Sequence, residues 1–125
     1  MSANKNGKHI LCVDDHTDSY ELISTILKDY KVTSATSMAE ALRLASEDKF
    51  SLYLLDYHLP DGTGIEVCLM IRNFDKKTPI LFVTGTSSMT EKQALTIGAQ
   101  GLTKKTANKF VENLQTSVAK LLDKS

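Results

Sequence analysis

The feature that most constrains the fold is a regular alternation of short apolar runs with longer amphipathic segments. Five runs are strand-like, and a segment with helical spacing of its apolar residues follows each of them: HILCV, KVTSA, FSLYLLD, PILFVTG and GLT. Such alternation is typical of parallel strands joined by right-handed helical crossovers. The continuous apolar run PILFVTG indicates a strand buried on both faces. We therefore predict an α/β fold in which a doubly wound, five-stranded parallel sheet is covered by five helices.

Helix-start signals refine the expected boundaries. Three pairs have the spacing of a cap with a partner three residues later: Asp18 and Glu21, Ser37 and Glu40, Ser88 and Glu91. A polar cap followed by an acidic residue at this spacing satisfies free backbone N–H groups at a helix start. Apolar spacing predicts that the first helix reaches Tyr30, the third covers Ile65 to Phe74, and the fourth ends near Gly98. The last helix is predicted from Phe110 to Leu122.

Length and composition limit the function classes. The 125 residues predict one domain over 1–125, with a core at about 8–122. Lys and Arg together number 15, as do Asp and Glu, so the net charge is zero. A neutral chain argues against direct binding to nucleic acid or to an anionic membrane. No apolar run approaches the roughly 20 residues that cross a bilayer, so no membrane insertion is expected.

The cysteines and the amino terminus suggest where the protein works. Cys12 and Cys68 lie in apolar segments without metal-ligand spacing, which predicts buried, reduced thiols. The start, MSANKNGK, has no apolar signal-peptide core. We expect a cytoplasmic location.

Polar residues follow the strands at their carboxyl ends. Asp14 and Asp15 follow the first strand, Asp56 follows the third, Thr84 with Gly85 and Thr86 follows the fourth, and Lys104 with Lys105 follows the fifth. The carboxyl ends of parallel strands share one edge of a sheet, where ligands bind in such folds. Three carboxylates, a hydroxyl and an ammonium are therefore expected to converge on one rim.

The expected chemistry of this rim is phosphoryl transfer with a hard cation. Three ionised carboxylates need a counter-charge, and oxygen ligands favour Mg²⁺. With the charge neutralised, Asp56 can attack phosphorus, while the metal and a lysine stabilise the transferring group and Thr84 hydrogen-bonds it. The histidines show no metal-ligand spacing, and His16 is interpreted as a loop residue next to the site. The chain lacks the glycine-rich nucleotide-binding motifs GxxxxGK[ST] and GxGxxG.

Four segments, in order, carry a family resemblance: LCVDDH, LLDYHLPDGTG, LFVTG and GAQGLTKK. With them the chain resembles the receiver domains of two-component response regulators over about residues 8–122, and it is similar to the stand-alone chemotaxis-type regulators. The resemblance implies a flavodoxin-like fold with strand order 2-1-3-4-5. It implies that Asp56 accepts a phosphoryl group from a phosphohistidine of a histidine kinase or histidine phosphotransfer protein. A phosphorylation-switched signalling module rather than an enzyme is expected, acting on an unknown downstream protein.

The resemblance also implies roles for the residues around Asp56. Asp14, Asp15, the Asp56 carboxylate and the backbone carbonyl of His58 would hold Mg²⁺ or Mn²⁺. Thr84 would be the switch hydroxyl. The backbone of Gly85 would lie near the phosphoryl group.

Two departures from the family pattern concern the fifth strand. Family members usually read Lys-Pro where this chain reads LTKKTA. Counting from Gly98 selects Lys105 as the phosphoryl-binding lysine, and Lys104 would take this role if the register slipped by one. Leu102 occupies the place where many members have Tyr or Phe, so the aromatic relay of the switch is missing.

Other functions stay open at this point. The chain could be a phosphate-independent docking domain, or a receiver excised from a hybrid histidine kinase or a larger regulator. An Asp-nucleophile phosphatase would show a second acid two residues after the nucleophile, where this chain has His58. A flavin carrier would need a phosphate-binding loop after the first strand, where this chain has Asp-Asp-His.

Overall fold

A computed structural model describes residues 7–123. In chain order this part forms β1 (His9–Val13), α1 (Thr17–Ile26), β2 (Lys31–Ala35), α2 (Met38–Glu47), β3 (Leu52–Leu55), β4 (His58–Leu59), β5 (Gly62–Thr63), α3 (Gly64–Phe74), β6 (Ile80–Thr84), α4 (Glu91–Thr96), β7 (Gly101–Lys104) and α5 (Phe110–Asp123). Most of the segment that was read for a targeting signal, residues 1–8, lies outside the described residues. Within 7–123, no helix has the length and apolar character needed to cross a membrane.

Five strands form one parallel sheet in the order β2-β1-β3-β6-β7. When only the strands of this sheet are numbered, the order is 2-1-3-4-5, so the predicted topology is confirmed. An antiparallel hairpin of β4 and β5, in which His58 pairs with Thr63, was not predicted from the sequence. It lies between β3 and α3, within the segment YHLPDGTG.

The three central strands of the sheet, β1, β3 and β6, are buried on both faces, as the run PILFVTG predicted for β6. Leu11 and Val13 of β1 pack with the helices α2, α3 and α4, whereas Ile10 and Cys12 pack with α1 and α5. Both cysteines are free and buried. Burial, with the charges of Asp14 and Asp56 adding to it, raises the pKa of Cys12 to about 12, so this thiol stays protonated and inert at neutral pH.

Two predicted helix starts are wrong. α1 begins at Thr17 and its N-cap is His16, whose side chain makes no capping bond, so Asp18 lies inside the first turn. Asp14 Oδ1 accepts a hydrogen bond from the His16 N–H at 2.9 Å. This bond fixes the turn directly before the helix, so the helix begins at Thr17 and not after Asp18. The helix also ends at Ile26, four residues before Tyr30.

The fourth helix, in contrast, begins later than predicted, because Thr90 and not Ser88 is its N-cap. Thr90 accepts from the Gln93 N–H, and the Gln93 side chain accepts from the Thr90 N–H. Ser88 instead donates its N–H to the Thr86 hydroxyl at 3.1 Å, which holds it in a turn. α4 ends at Thr96, close to the predicted end at Gly98.

The start of α2 was predicted correctly, and the hairpin segment adds to it. Ser37 accepts from the Glu40 N–H at 3.1 Å. Asp61 reaches across to the same helix end, where it accepts from Met38 N at 2.7 Å and Ala39 N at 3.0 Å. These two backbone bonds lower the pKa of Asp61. The segment after β3 therefore fixes the first turn of α2.

Gly64 allows α3 to start directly against the end of β3. A Cβ atom at this position would collide with the backbone carbonyl oxygen of Asp56 and would lie 2.9 Å from the Phe82 ring. The Gly64 N–H also donates to Tyr57 O at 2.7 Å. A glycine is therefore required by contact with the backbone of Asp56.

We expect Gly64→Ala to lower the free energy of unfolding by at least about 2 kcal/mol, because neither the carbonyl nor the buried ring can move away cheaply. Urea unfolding would measure the change. Gly85→Ala is the matched control, since a Cβ there meets no atom within 4 Å. Equal stability of the two variants would contradict this view of Gly64.

Candidate functional site

The predicted rim forms at the carboxyl edge of the sheet. Asp14 follows β1, Asp56 follows β3, Thr84 ends β6 and Lys105 follows β7. Asp14, Asp56 and Thr84 are buried, with exposed fractions of 2%, 7% and 1%. Backbone hydrogen bonds extend the ladders beyond the strands, from Asp56 N to Val13 O and from Lys105 N to Thr84 O, both at 2.9 Å. The sheet therefore holds these residues rigidly.

Lys105 links the two buried carboxylates. Its Nζ lies 2.7 Å from Asp14 Oδ2 and 3.1 Å from Asp56 Oδ2. Burial opposes the charge of both Lys105 and Asp14, but their mutual hydrogen bond and the nearby charges outweigh it. The net effect raises the pKa of Lys105 and lowers the pKa of Asp14. Both groups are therefore charged at neutral pH.

Further hydrogen bonds orient the same carboxylates. Ser19 Oγ donates to Asp14 Oδ2 at 2.6 Å, and Tyr57 N donates to Asp56 Oδ1 at 2.7 Å. The sequence analysis did not select Ser19. Its position in the first turn of α1, five residues after Asp14, was the signal that could have identified it.

Four side chains at this edge could hold a metal ion. One ligand atom each from Asp14, Asp15, His16 and Asp56 lies within 4.8 Å of the others. Three of the four donors are carboxylates, which fits a hard divalent cation such as Mg²⁺. The cluster also includes His16, which the sequence analysis had treated as a loop residue without metal-ligand spacing.

The structure separates the two lysines of the fifth strand. Lys104 turns away from the carboxylates and donates from Nζ to Thr86 O at 2.7 Å and to Met89 O at 2.9 Å. Both acceptors lie in residues 85–90, which connect β6 to α4 and which we call the β6–α4 loop. In the same loop, Thr86 N donates to Thr84 Oγ1 at 3.2 Å. Of the two lysines, Lys105 therefore lies at the carboxylates, whereas Lys104 stabilises the loop.

The remaining predicted site residues lie at the rim of the site. Gly85 is exposed at the start of the β6–α4 loop. His58 begins β4 with an exposed side chain, whose ring stacks edge-on with Tyr57 at a centroid distance of 4.6 Å. The backbone roles of Gly85 and His58 stay predictions. Leu102 is half-buried and packs against the core on the face of α2, α3 and α4.

We expect Lys104→Met to loosen the β6–α4 loop, because Thr86 O and Met89 O would lose a charged donor. The free energy needed to open the loop locally should fall by about 1–2 kcal/mol, which corresponds to roughly tenfold faster amide exchange in residues 86–90. Hydrogen exchange followed by mass spectrometry would measure it. Lys104→Arg, which keeps the charge and the donors, is the control. Unchanged exchange in the Met variant would show that the loop does not depend on Lys104.

Comparison with known proteins agrees with this geometry. The family model of the response regulator receiver domain matches residues 10–118. The chain belongs to this family. Two solved receiver structures are similar to it throughout. The receiver domain protein (CheY-like) of Methanospirillum hungatei has a TM-score of 0.83 at 28% identity, with 94% of each chain covered. TrrA of Thermotoga maritima, solved in complex with Mg²⁺-BeF, has a TM-score of 0.83 at 30% identity, with 92% of this chain and 99% of that chain covered.

The curated relatives include response regulators of which this chain spans less than half the length. The response regulator protein PilR of Pseudomonas aeruginosa is 37% identical over 92 residues, which are 71% of this chain and 21% of PilR. This receiver domain therefore corresponds to only part of such a regulator. Its likeness to PilR concerns the receiver domain and not the activity of the whole regulator.

Proposed function

We propose that Asp56 of this receiver domain accepts a phosphoryl group from a phosphohistidine of a histidine kinase or histidine phosphotransfer protein. The observation that carries the proposal is the position of the Asp56 carboxylate, which is buried at the sheet edge, beside Lys105 and close to the acidic pair Asp14 and Asp15. A carboxylate in this position has positive charge beside it and other metal-ligating oxygens within reach.

The transfer balances with one proton from solvent water. An oxygen of the Asp56 carboxylate attacks phosphorus and forms a P–O bond. The P–N bond to the donor imidazole breaks, and its electron pair stays on that nitrogen. Asp56 becomes an acyl phosphate, and the nitrogen released on the donor takes up the proton from water, which returns the donor to a neutral histidine.

The neighbouring residues would bind and orient the phosphoryl group. Asp14, Asp15, Asp56 and the backbone carbonyl of His58 would hold Mg²⁺ or Mn²⁺, a cation that offsets the charge of phosphate and carboxylate oxygens. Lys105 would exchange one of its carboxylate contacts for a phosphoryl oxygen. The hydroxyl of Thr84 and the backbone of Gly85 would donate to the other oxygens. Mg²⁺ in the similar TrrA structure supports this choice of cation.

The proposed output is a change in partner binding and not turnover of a substrate. Thr84 is directly followed by the β6–α4 loop, so contacts of its hydroxyl reach the surface through Thr86 and Lys104. The domain would work in the cytoplasm as a single unit over residues 1–125. It would engage a kinase or phosphotransfer protein and then a downstream protein, with no direct contact to nucleic acid.

Intact mass spectrometry after incubation with acetyl phosphate tests the proposal. We expect one phosphoryl group to add in the presence of Mg²⁺ and none in the presence of EDTA. Beryllofluoride with Mg²⁺ provides a second measurement that needs no phosphodonor, because it should shift the amide resonances of residues 84–86. If neither treatment had an effect, a phosphate-independent docking role would be favoured instead.

A further inference from the structure

We propose that His16 is a ligand of the divalent cation at this site and shifts its preference from Mg²⁺ towards Zn²⁺ and Ni²⁺. This inference rests on the proposed function, because it assumes that Asp14, Asp15 and Asp56 hold a cation. It assigns to this chain an imidazole donor in a site otherwise built from oxygen atoms.

The geometry of His16 is the first support. Its Nδ1 lies 3.1 Å from Asp15 Oδ1 and 3.4 Å from Asp14 Oδ1. Two donors bound at about 2.1 Å to one ion at right angles are about 3.0 Å apart, and tetrahedral donors at about 2.0 Å are about 3.3 Å apart. His16 Nδ1 is therefore spaced from each of the two carboxylate oxygens as neighbouring ligands of a single ion are.

Neither the backbone of His16 nor the side chain of Lys105 blocks the access of an ion to His16 Nδ1. The His16 N–H donates to Asp14 Oδ1 at 2.9 Å, which holds the residue beside the acidic pair. Lys105 approaches the same carboxylate from its other oxygen, Oδ2. The His16 side chain is 68% exposed, so an ion can reach Nδ1 from solvent without displacing core residues.

The chemistry of the donor set decides the preference. Mg²⁺ takes oxygen ligands almost exclusively and gains little from an imidazole. Zn²⁺ and Ni²⁺ bind imidazole nitrogen strongly and lie above Mg²⁺ in affinity for mixed nitrogen and oxygen sites. His16 should therefore strengthen binding of Zn²⁺ and Ni²⁺ while leaving Mg²⁺ binding almost unchanged.

The test compares cation affinities of the wild type, His16→Ala and His16→Gln by calorimetry, with Mg²⁺, Zn²⁺ and Ni²⁺ used separately. Loss of a residue that only orients a metal ligand costs about 10- to 100-fold in affinity, so loss of a ligand should cost at least about tenfold for Zn²⁺ and Ni²⁺. The affinity for Mg²⁺ should change less than about twofold. His9→Gln is the matched control, because His9 begins β1 at the opposite edge of the sheet.

A second measurement tests direct contact. In two-bond ¹H–¹⁵N spectra, Zn²⁺ should shift the Nδ1 resonance of His16 and should not shift the ring nitrogens of His9. If the wild type binds Mg²⁺ but His16→Ala keeps its Zn²⁺ affinity within twofold, the inference is wrong and the proposed function stands. If His16 Nδ1 does not shift at saturating Zn²⁺, His16 is only a hydrogen-bond partner of Asp15. If the wild type binds none of the three cations, the inference and the proposed metal site are both wrong.

Discussion

Asp56→Asn should abolish the phosphoryl adduct completely, while the fold is retained. An amide oxygen is a far weaker nucleophile towards phosphorus than a carboxylate, so no acyl phosphate can form at residue 56. Asparagine has nearly the same shape as aspartate and keeps an oxygen that can accept the Tyr57 N–H. The lost interaction is the 3.1 Å ion pair with Lys105, and Asp14 still holds that lysine.

The measurement is intact mass after incubation with acetyl phosphate and Mg²⁺, with a circular dichroism spectrum to confirm folding. Asp29→Asn is the matched control, because Asp29 is an exposed carboxylate in the turn between α1 and β2, away from the site edge. We expect this control to gain one phosphoryl group as the wild type does. An adduct that persists in Asp56→Asn would place the phosphoacceptor elsewhere, with Asp14 and Asp15 as the next residues to replace.

Lys105→Met should have the second-largest effect, and it should act on stability and chemistry together. Without the ammonium, the buried carboxylates of Asp14 and Asp56 face each other with no positive side chain between them. Removing one partner of a buried ion pair costs about 3–5 kcal/mol, and the partial exposure of Lys105 reduces this to roughly 2–4 kcal/mol. Mg²⁺ should restore part of the loss, because it supplies positive charge and binds only the folded state.

The rate of phosphorylation should also fall in Lys105→Met, by about 100-fold or more. Charged donors aimed at a transferring group commonly contribute this much to the rate. Urea unfolding with EDTA and with Mg²⁺ measures the stability effect, and a time course with acetyl phosphate measures the rate. Lys104→Met is the comparison, because within residues 7–123 the Lys104 ammonium contacts loop carbonyls and no carboxylate. A larger loss of rate in Lys104→Met than in Lys105→Met would reverse the assignment of the two lysines.

The strands of the sheet could be predicted from the sequence because each of them is a short run of residues that is recognisable without reference to the rest of the chain. Apolar runs such as LYLL and ILFVT are buried on both faces, and the topology of parallel strands determines which side chains share an edge. The convergence of Asp14, Asp56 and the pair of lysines on one edge therefore follows from topology alone. Helix starts were less predictable, since Asp18 and Ser88 have suitable spacing but other hydrogen bonds shift each start by a few residues.

Features that depend on contacts between distant residues could not be predicted from the sequence. Gly64 lies in close contact with the backbone carbonyl of Asp56, and no local sequence pattern relates these two positions. The same is true of Asp61, which caps a helix more than twenty residues earlier. Counting from Gly98 had selected Lys105 over Lys104, but a slip of one residue in β7 would have exchanged the two, and the contacts of each ammonium are known only from the structure.

The two loops on either side of Asp56 differ in how firmly they are held. Residues 57–64 contain a hairpin, cap α2 through Asp61 and press against the backbone of Asp56 at Gly64. The β6–α4 loop has no strand pairing, is held by hydroxyl groups and by Lys104, and leads into a helix of six residues. The surface formed by α2 and α3 should therefore keep its shape in every state of the protein, whereas the surface formed by the β6–α4 loop and α4 can change. A partner that must recognise the protein in every state is expected to bind the surface of α2 and α3, and a partner that must tell the states apart is expected to bind the surface of α4.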